Sequence, residues 1–370
     1  MKKIPHGWKL KTVLEFSPLQ RGFDLTSTQL MKGPFPVVYS NGVKSYHKEA
    51  KVKGPGVITG RSGTIGNLTY VESDYWPHNT ALWVTDFKGN FPKYVFYALQ
   101  YLKLSRFDAG SGVPTLNRND VHKQKILVPP LPEQKEIVIL LSLWDIAIEK
   151  TERLIAATKL RHIALSSKFL SKKHHMAPLN ICVKLVVREA ARPDKPYWAL
   201  GIRSHGKGTF RRFIDNPGAV AMDTLYRVRH DDLIVNITFA WEGAIALVDR
   251  SDEDCLVSHR FPTFEIDRNT ALPEYLRHVI VQKQFIRNLG LISPGGAGRN
   301  RVLNKKDFLN LKIALPEIGE QKRIGYILNT SLHEISLLRS KLDLLKKQKN
   351  GLMQKLLTGE WRVKTAGEVS

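Results

Sequence analysis

Apolar positions in the last quarter of the chain advance alternately by four and three residues: Ile324, Leu328, Ser331, Ile335, Leu338, Leu342, Leu345, Lys349, Leu352 and Leu356. A 3.5-residue period predicts a long helix whose seam packs along a partner helix, as in a coiled coil. The same spacing occurs earlier, at Ile137, Leu141, Trp144, Ile148, Thr151, Ile155, Thr158, His162, Leu165 and Phe169. The polar breaks coincide, His162 in the first seam and Lys349 in the second. Polar seam residues set register, and His162 is expected at the seam edge, pointing to solvent. Each seam is the natural partner of the other. The first helix leads into a second globular segment through "SKKHHMAPLN" and the second must run back, so the pair is expected to be antiparallel. At ~1.5 Å per residue, Ile324 to Leu356 makes a rod of roughly 48 Å, long enough to hold the globular segments at its two ends well apart.

The helix starts repeat as well. "VPPLPEQKEIVILL" at Val128–Leu141 returns as "LPEIGEQKRIGYIL" at Leu315–Leu328, an offset of 187 residues (320 − 133). Without gaps that offset also pairs Leu116-Asn117 with Leu303-Asn304, Asp120 with Asp307, Lys125-Ile126 with Lys312-Ile313 and Pro129 with Pro316. Upstream an offset of 181 pairs Pro92 with Pro273 and Tyr94 with Tyr275, and "VITGRSGTIGNLTYV" parallels "LIVNITFAWEGAIALV", each a β-rich run broken near Gly63 or Gly243. Each half therefore reads as β-rich segments, a short helix, a Gly-rich loop, one more strand and a long helix. The loops diverge most, "SNGVKSYHKEAKVKGPG" having little in common with "GIRSHGKGTFRRFIDNPG".

Composition directs the function. In 370 residues, 57 Lys+Arg against 34 Asp+Glu give a net charge of +23 and a pI near 9.9, with 42% hydrophobic content for packed cores. A polyanionic partner follows, nucleic acid before membrane, because the charge is spread along the chain and not gathered in one amphipathic helix. No stretch approaches the ~18 apolar residues of a spanning helix, "MKKIPHGWKLK" has no signal-peptide core, and a cytoplasmic location is expected. Cys182 and Cys255 lack metal-site spacing and read as buried small hydrophobes.

No motif points to catalysis. "GIRSHGKGT" satisfies G-x-x-x-x-G-K, but Gly208 stands where a P-loop needs Ser or Thr for magnesium. There is no Asn-Pro-Pro-aromatic or Asp-Pro-Pro-Tyr methyltransferase motif, "HKEAK" and "SKKHH" lack metal-site context, and the acidic residues of "DRSDEDC" read as a solvated turn. DNA contact is the better role for the polar loops. In the first half the candidates are Asn41, Lys44, Tyr46, Lys51, Lys53, Arg61, Ser62, Gly110, Ser111, Gly112, Thr115 and Arg118. In the second they are Arg203, His205, Lys207, Arg211, Arg212, Thr238, Trp241, Arg299, Asn300 and Arg301. Arg binds guanine in bidentate fashion and Asn binds adenine, whereas Lys more often fixes register on phosphate.

The order of a variable β-rich domain, "GVPTLNRNDVHKQKILVPPLPEQKEIV", a long helix, a second variable domain, "RVLNKKDFLNLKIALPEIGEQKRIG" and a second helix resembles the specificity (S) subunit of type I restriction-modification systems. "WEGAIALV", "CLVSHRFPTFEID" and "GLMQKLLTGEWRV" resemble family segments too, so the likeness covers nearly the whole chain. It implies a mixed α/β (α+β) fold with pseudo-two-fold duplication: a target recognition domain at 1–130, a spacer helix at 131–174, a second recognition domain at 175–316, a second spacer helix at 317–362 and a tail at 363–370, the helices forming an antiparallel coiled coil. It further implies a non-catalytic subunit that reads a bipartite double-stranded DNA site and recruits two methylation subunits and restriction subunits. The chain itself would bind no cofactor and no metal; S-adenosylmethionine, ATP and magnesium belong to those partners. Glu133, Gln134, Glu320 and Gln321 would mark docking surfaces, and Gly319, replacing a proline, is expected to loosen the second helix start. Two other readings remain: a self-sufficient restriction or methylation enzyme with an unrecognised active site, and a basic coiled-coil adaptor.

Overall fold

The computed structural model describes residues 4–108, 112–171, 174–293 and 301–364. The chain divides into two compact units, Met1–Arg153 with Ser340–Ser370, and Leu154–Arg339. Two 40-residue helices, Leu131–Leu170 and Ile318–Leu357, contribute to both. None of the twenty expected seam positions is exposed, which is what a 3.5-residue apolar period requires of a packed stripe. In the first unit Asp145 meets Lys349 and Glu152 meets Lys346; in the second Arg161 meets Glu334 and Phe169 meets Arg323. Within each unit, partner numbers rise on one helix as they fall on the other, so the segments run antiparallel.

The duplication is visible strand by strand. In the first unit Lys9–Thr12 pairs antiparallel with Lys125–Val128, and in the second Met176–Pro178 pairs with Lys312–Ala314. Each unit has a four-stranded antiparallel sheet, in the order Leu19–Arg21, Ala81–Val84, Gly56–Gly60, Leu68–Val71 and in the order Val183–Val186, Thr263–Ile266, Leu233–Val235, Ile245–Leu247. Each also has a hairpin that joins a short strand in parallel. Phe35–Tyr39 and Gly42–His47 add to Trp76–Pro77, while Tyr197–Ile202 and Thr209–Ile214 add to Leu256–Val257. In both cases the second hairpin strand is the sheet edge.

The repeated Glu-Gln pair explains how each long helix is fastened. The short helices Pro92–Tyr101 and Pro273–Val279 begin at proline, and their N-cap residues Phe91 and Leu272 make no side-chain cap. Gln134 and Gln321 supply the missing partners. Each accepts the N-cap backbone N–H, from Phe91 at 2.8 Å and from Leu272 at 2.9 Å, and each donates to its own helix-start proline carbonyl, Pro129 at 3.0 Å and Pro316 at 2.8 Å. A third bond goes to Asn90 Oδ1 or the Thr270 carbonyl, both at 2.9 Å. Nearby, Tyr94 donates to the Leu127 carbonyl at 3.2 Å and Tyr275 to that of Ala314 at 2.9 Å. Gly319 loosens nothing at this point, since Gln321 keeps the full set.

The polar seam breaks are internal. Lys349 is 6% exposed; it pairs with Asp145 at 2.5 Å and lies over the Tyr97 ring at 5.1 Å. His162 does not point to solvent as expected. It is half-buried, 6.3 Å from the His278 ring, and its Nδ1 is sealed without a hydrogen-bond partner among the described residues. Burial lowers its pKa. Tyr97 and His278 occupy equivalent places on the two short helices, so each unit uses that place to meet its seam break.

Candidate nucleic-acid interface

In the first unit the turn after Gly56–Gly60 carries Arg61 and Ser62, and the chain reverses at Gly63, whose φ of 82° suits glycine. Ser62 forms a β-bridge with Thr115, far along the sequence, Gly63 donates to the Pro114 carbonyl at 3.0 Å, and Leu116 donates to the Arg61 carbonyl at 2.8 Å. Arg61, Ser62, Gly112 and Thr115 therefore belong to two converging loops, and Arg118 opens the short helix Arg118–His122 that follows. The second unit repeats the arrangement. Leu303 donates to the Ile237 carbonyl at 2.9 Å, beside Thr238, and Gly243 reverses the turn at φ 77°. Trp241 donates to the Thr238 carbonyl at 3.2 Å, and the Arg301 guanidinium stacks on its ring at 5.3 Å, so Thr238, Trp241 and Arg301 form one surface. Gly110, Ser111, Arg299 and Asn300 lie outside the described residues.

The remaining candidates sit on and beside the two hairpins. Asn41 is at the turn of the first, Lys44 and Tyr46 are exposed on its edge strand, and Lys51 stacks on Trp76 at 4.9 Å, with Lys53 exposed beyond. In the second, Arg203 lies over the Phe210 ring at 5.1 Å and donates to the Thr209 carbonyl, while Lys207 is exposed in the turn. This turn is fastened and not freely flexible. His205 and Gly206 donate their backbone N–H groups to the carbonyls of Glu242 (2.7 Å) and Gly243 (2.9 Å), and Ser204 Oγ donates to Glu242 Oε2 at 2.7 Å. The hairpin turn and the Trp241 turn are thus one assembly.

Three expected roles change. Arg211, though partly exposed, is tied to Asp252, Nε to Oδ1 at 2.8 Å, and Thr209 Oγ1 donates to the other carboxylate oxygen at 2.5 Å. Asp252 is 6% exposed, so this part of "DRSDEDC" is a buried anchor and not a solvated turn. Arg212, the next residue, points to the other side of the strand, as alternation demands, and makes no ion pair among the described residues. Gln134 and Gln321 are buried clamps, and Glu133, 2% exposed, accepts from Trp8 Nε1 at 2.9 Å and takes a two-pronged pair from Arg362 at 2.7 and 2.9 Å. Those three side chains cannot form a docking face, because they are already inside. Glu320 differs, being partly exposed and paired with Arg323 at 2.6 Å.

Sequence reading passed over the exposed aromatics of the second hairpin, Trp198 and Phe213, whose rings pack at 5.0 Å. The interleaving of Phe and Arg in "TFRRFI" was the available signal. Cys182 and Cys255 are both buried, and burial raises both thiol pKa values, that of Cys182 to about 11. Among the described residues no three His, Cys, Asp or Glu side chains cluster as metal ligands, and no helix is long and apolar enough to cross a membrane.

Comparison with known proteins gives a consistent result. The family described as "Type I restriction modification DNA specificity domain" matches residues 5–159 and again 190–347. The MjaX specificity subunit of a Methanocaldococcus jannaschii type I restriction enzyme is 25% identical over 301 residues, 74% of this chain and 69% of that protein. The MjaVIII specificity subunit of the same organism is 22% identical over 303 residues, covering 73% and 70%. In structure, the chain resembles the type I restriction-modification S subunit of M. genitalium with a TM-score of 0.63 at 14% identity, over 96% of this chain and 97% of that one. With two matched segments spanning most of its length, the chain belongs to the type I restriction modification DNA specificity domain family.

Proposed function

We propose that this chain reads a bipartite site in double-stranded DNA, one half-site through each unit, and presents it to two methylation subunits and, where they accompany it, restriction subunits. The chemistry resides in those partners, which bring S-adenosylmethionine, ATP and magnesium, and the setting is the cytoplasm. The observation that carries the reading is one hydrogen-bonded framework built twice with two unrelated basic loop sets on it, in a family of DNA specificity domains. A duplicated frame with divergent polar loops suits two different half-sequences. In each unit the converging turns and the hairpin beside them supply Arg, Lys, Thr and aromatic groups, the residue types that hold phosphate and read base edges.

Partner docking falls to the outward faces of the long helices. Ile139, Leu143 and Ile146 expose 53%, 59% and 47% of their surface at helical spacing, and Tyr326, the position equivalent to Ile139, is 73% exposed. The purified chain, with and without its methylation subunits, is incubated with DNA and labelled S-adenosylmethionine, and the modified positions are sequenced. Methylation of one two-part motif with an unread spacer, only when the partners are present, is the expected result. Methyl transfer or cleavage by the chain alone refutes the reading, as does binding without sequence preference.

A further inference from the structure

The long helices carry the same apolar seam twice, so the seam alone does not tell either helix to pair with the other and not with its own counterpart in a second copy of the chain. Their polar positions differ. The offset of 187 makes Ser142 equivalent to Asn329, Asp145 to Leu332 and His162 to Lys349, and the offset of 181 makes Tyr97 equivalent to His278. Hydrogen bonding supports the match, because Tyr94 and Tyr275 donate to the carbonyls of Leu127 and Ala314, themselves 187 residues apart.

In the first unit the second helix supplies the seam break, Lys349, and the first half of the chain supplies its receiver. Asp145 accepts from Lys349 Nζ on one carboxylate oxygen and from Tyr97 Oη on the other, each at 2.5 Å, and Tyr97 Oη lies 3.2 Å from Ser142 Oγ. In the second unit the roles are exchanged. The first helix supplies His162, and the receiver is His278 with Asn329, whose Oδ1 lies 2.9 Å from His278 Nε2. Leu332 stands where the first unit has its carboxylate. The charges that bear on His278 are those of His162 and Arg277, both of which oppose a proton. Glu334, the one acid between Gln321 and Leu342, is 42% exposed at its side chain and already bonded to Arg161.

One receiver is thus made for a cation and the other for a neutral ring. Pairing of two second helices in the same antiparallel manner would place Lys349 in the second receiver, where a buried ammonium faces an imidazole and no carboxylate compensates it. Pairing of two first helices would place His162 in the first receiver, where it still meets Asp145. The discrimination is one-sided.

We infer that Lys349 and Asp145 select the partner of each long helix, allowing the chain's own two helices to pair and barring the second helix from its counterpart in another copy. A single buried polar residue on an apolar seam is a general means by which helices choose register and partner, and a duplicated seam makes such a device necessary.

The test uses the full chain and reads melting midpoint and oligomeric state. Neither involves DNA, so its outcome is independent of the functional reading. His162→Lys, which puts the first unit's cation in the second receiver, is expected to lower the midpoint by about 5 °C, and adding Leu332→Asp, which supplies the equivalent carboxylate, to recover most of the loss. Asp145→Leu is expected to lose a similar amount, and adding Lys349→His, which converts the first receiver to the second kind, to recover most of it. Should His162→Lys fail to fold, the Asp145 pair of variants decides. Lys349→His alone lifts the bar: two differently tagged copies, denatured, mixed and refolded together, are expected to give severalfold more mixed-tag oligomer than wild type. Additive effects within the pairs of variants overturn the matched receivers, and a wild-type share of mixed oligomer in Lys349→His overturns the selection of partner.

Discussion

Replacing Gln321 tests whether the repeated helix-start motif is a fastening. Its side chain is fully buried and makes three hydrogen bonds, accepting from Leu272 N–H and donating to the Thr270 and Pro316 carbonyls. Gln321→Ala leaves all three without that partner. A net loss of about 1 kcal/mol per bond, rising where a group is sealed from water, gives about 3–5 kcal/mol. That is a large share of the roughly 5–15 kcal/mol that holds an ordinary domain together. Gln321→Glu is the sharper variant, because it keeps the shape and the Leu272 bond but turns two carbonyls toward a group that, ionised, cannot donate.

Amide hydrogen exchange is the suitable assay, since a chain with two compact units does not guarantee a single unfolding transition. The amides around Leu272 and at the start of Ile318–Leu357 should lose protection in both variants, while exposed Lys322→Ala, in the same turn, should stay within about 0.5 kcal/mol of wild type. Gln134→Ala should do the same around Phe91. Wild-type protection in Gln321→Glu, or a loss below about 1 kcal/mol in Gln321→Ala, refutes the clamp.

Three further outcomes follow. His278 is buried against Asn329 (2.9 Å) and His162; burial above all, with the Arg277 and His162 charges adding and the Asn329 bond opposing, lowers its pKa to about 4. The unfolded chain binds a proton near pH 6.5 that the folded chain refuses, so stability from this group is complete above that pH and falls by up to about 3 kcal/mol as pH drops toward 4; urea titrations of wild type and His278→Gln at pH 7 and pH 5 should show a smaller pH dependence in the variant, and equal slopes sink the argument. Arg211→Ala should cost about 2 kcal/mol, discounted for its partial exposure, by leaving Asp252 with Thr209 alone, whereas Arg212→Ala should leave thermal stability untouched; a stable Arg211→Ala chain would return that residue to the DNA surface. Inserting one heptad after Leu345, matched in the first helix, should lengthen the unread spacer of the methylated motif by about three base pairs, from ~1.5 Å per residue, and leave both half-sequences intact; an unchanged spacer refutes the role of the long helices as the element that sets half-site spacing.

Periodicity and repetition carried the helices because both are properties of nearby residues. The seam from Ile137 to Phe169 could be written down position by position, and the offset of 187 found the paired frame. Long-range polar bonds could not be read this way. Gln134 reaches Asn90 and Phe91, and Glu133 meets Trp8 at one end of the chain and Arg362 at the other. A polar pair at a helix start reads as exposed until its distant partners are known. His162 was misplaced for the same reason, its neighbour His278 lying on another helix. The case of Arg211 and Arg212 is different, since strand alternation already required that the two face opposite sides of the strand. What sequence lacked was the buried carboxylate that decides which side each takes.

The same accounting governs how the second hairpin can be exchanged for another. Exposed positions of Thr209–Ile214 are free to vary, but Ser204 is bonded to Glu242, and Thr209 and Arg211 are bonded to Asp252, all outside the hairpin. A transplant of Gly201–Asn216 that replaces those three residues orphans two carboxylates, one of them buried, and buried unpaired charge costs several kcal/mol. One that keeps Ser204, Thr209 and Arg211 while changing Arg212, and replacing Phe210 and Phe213 only by other aromatics that keep the contacts to Arg203 and Trp198, removes no anchor. The second transplant should fold with wild-type thermal stability and, with its partners, methylate a motif altered in one half only; the first should lose stability before any change of motif can be measured. Equal stability of the two would mean that Asp252 and Glu242 tolerate solitude, and that the division of this hairpin into fixed anchors and variable readers is wrong.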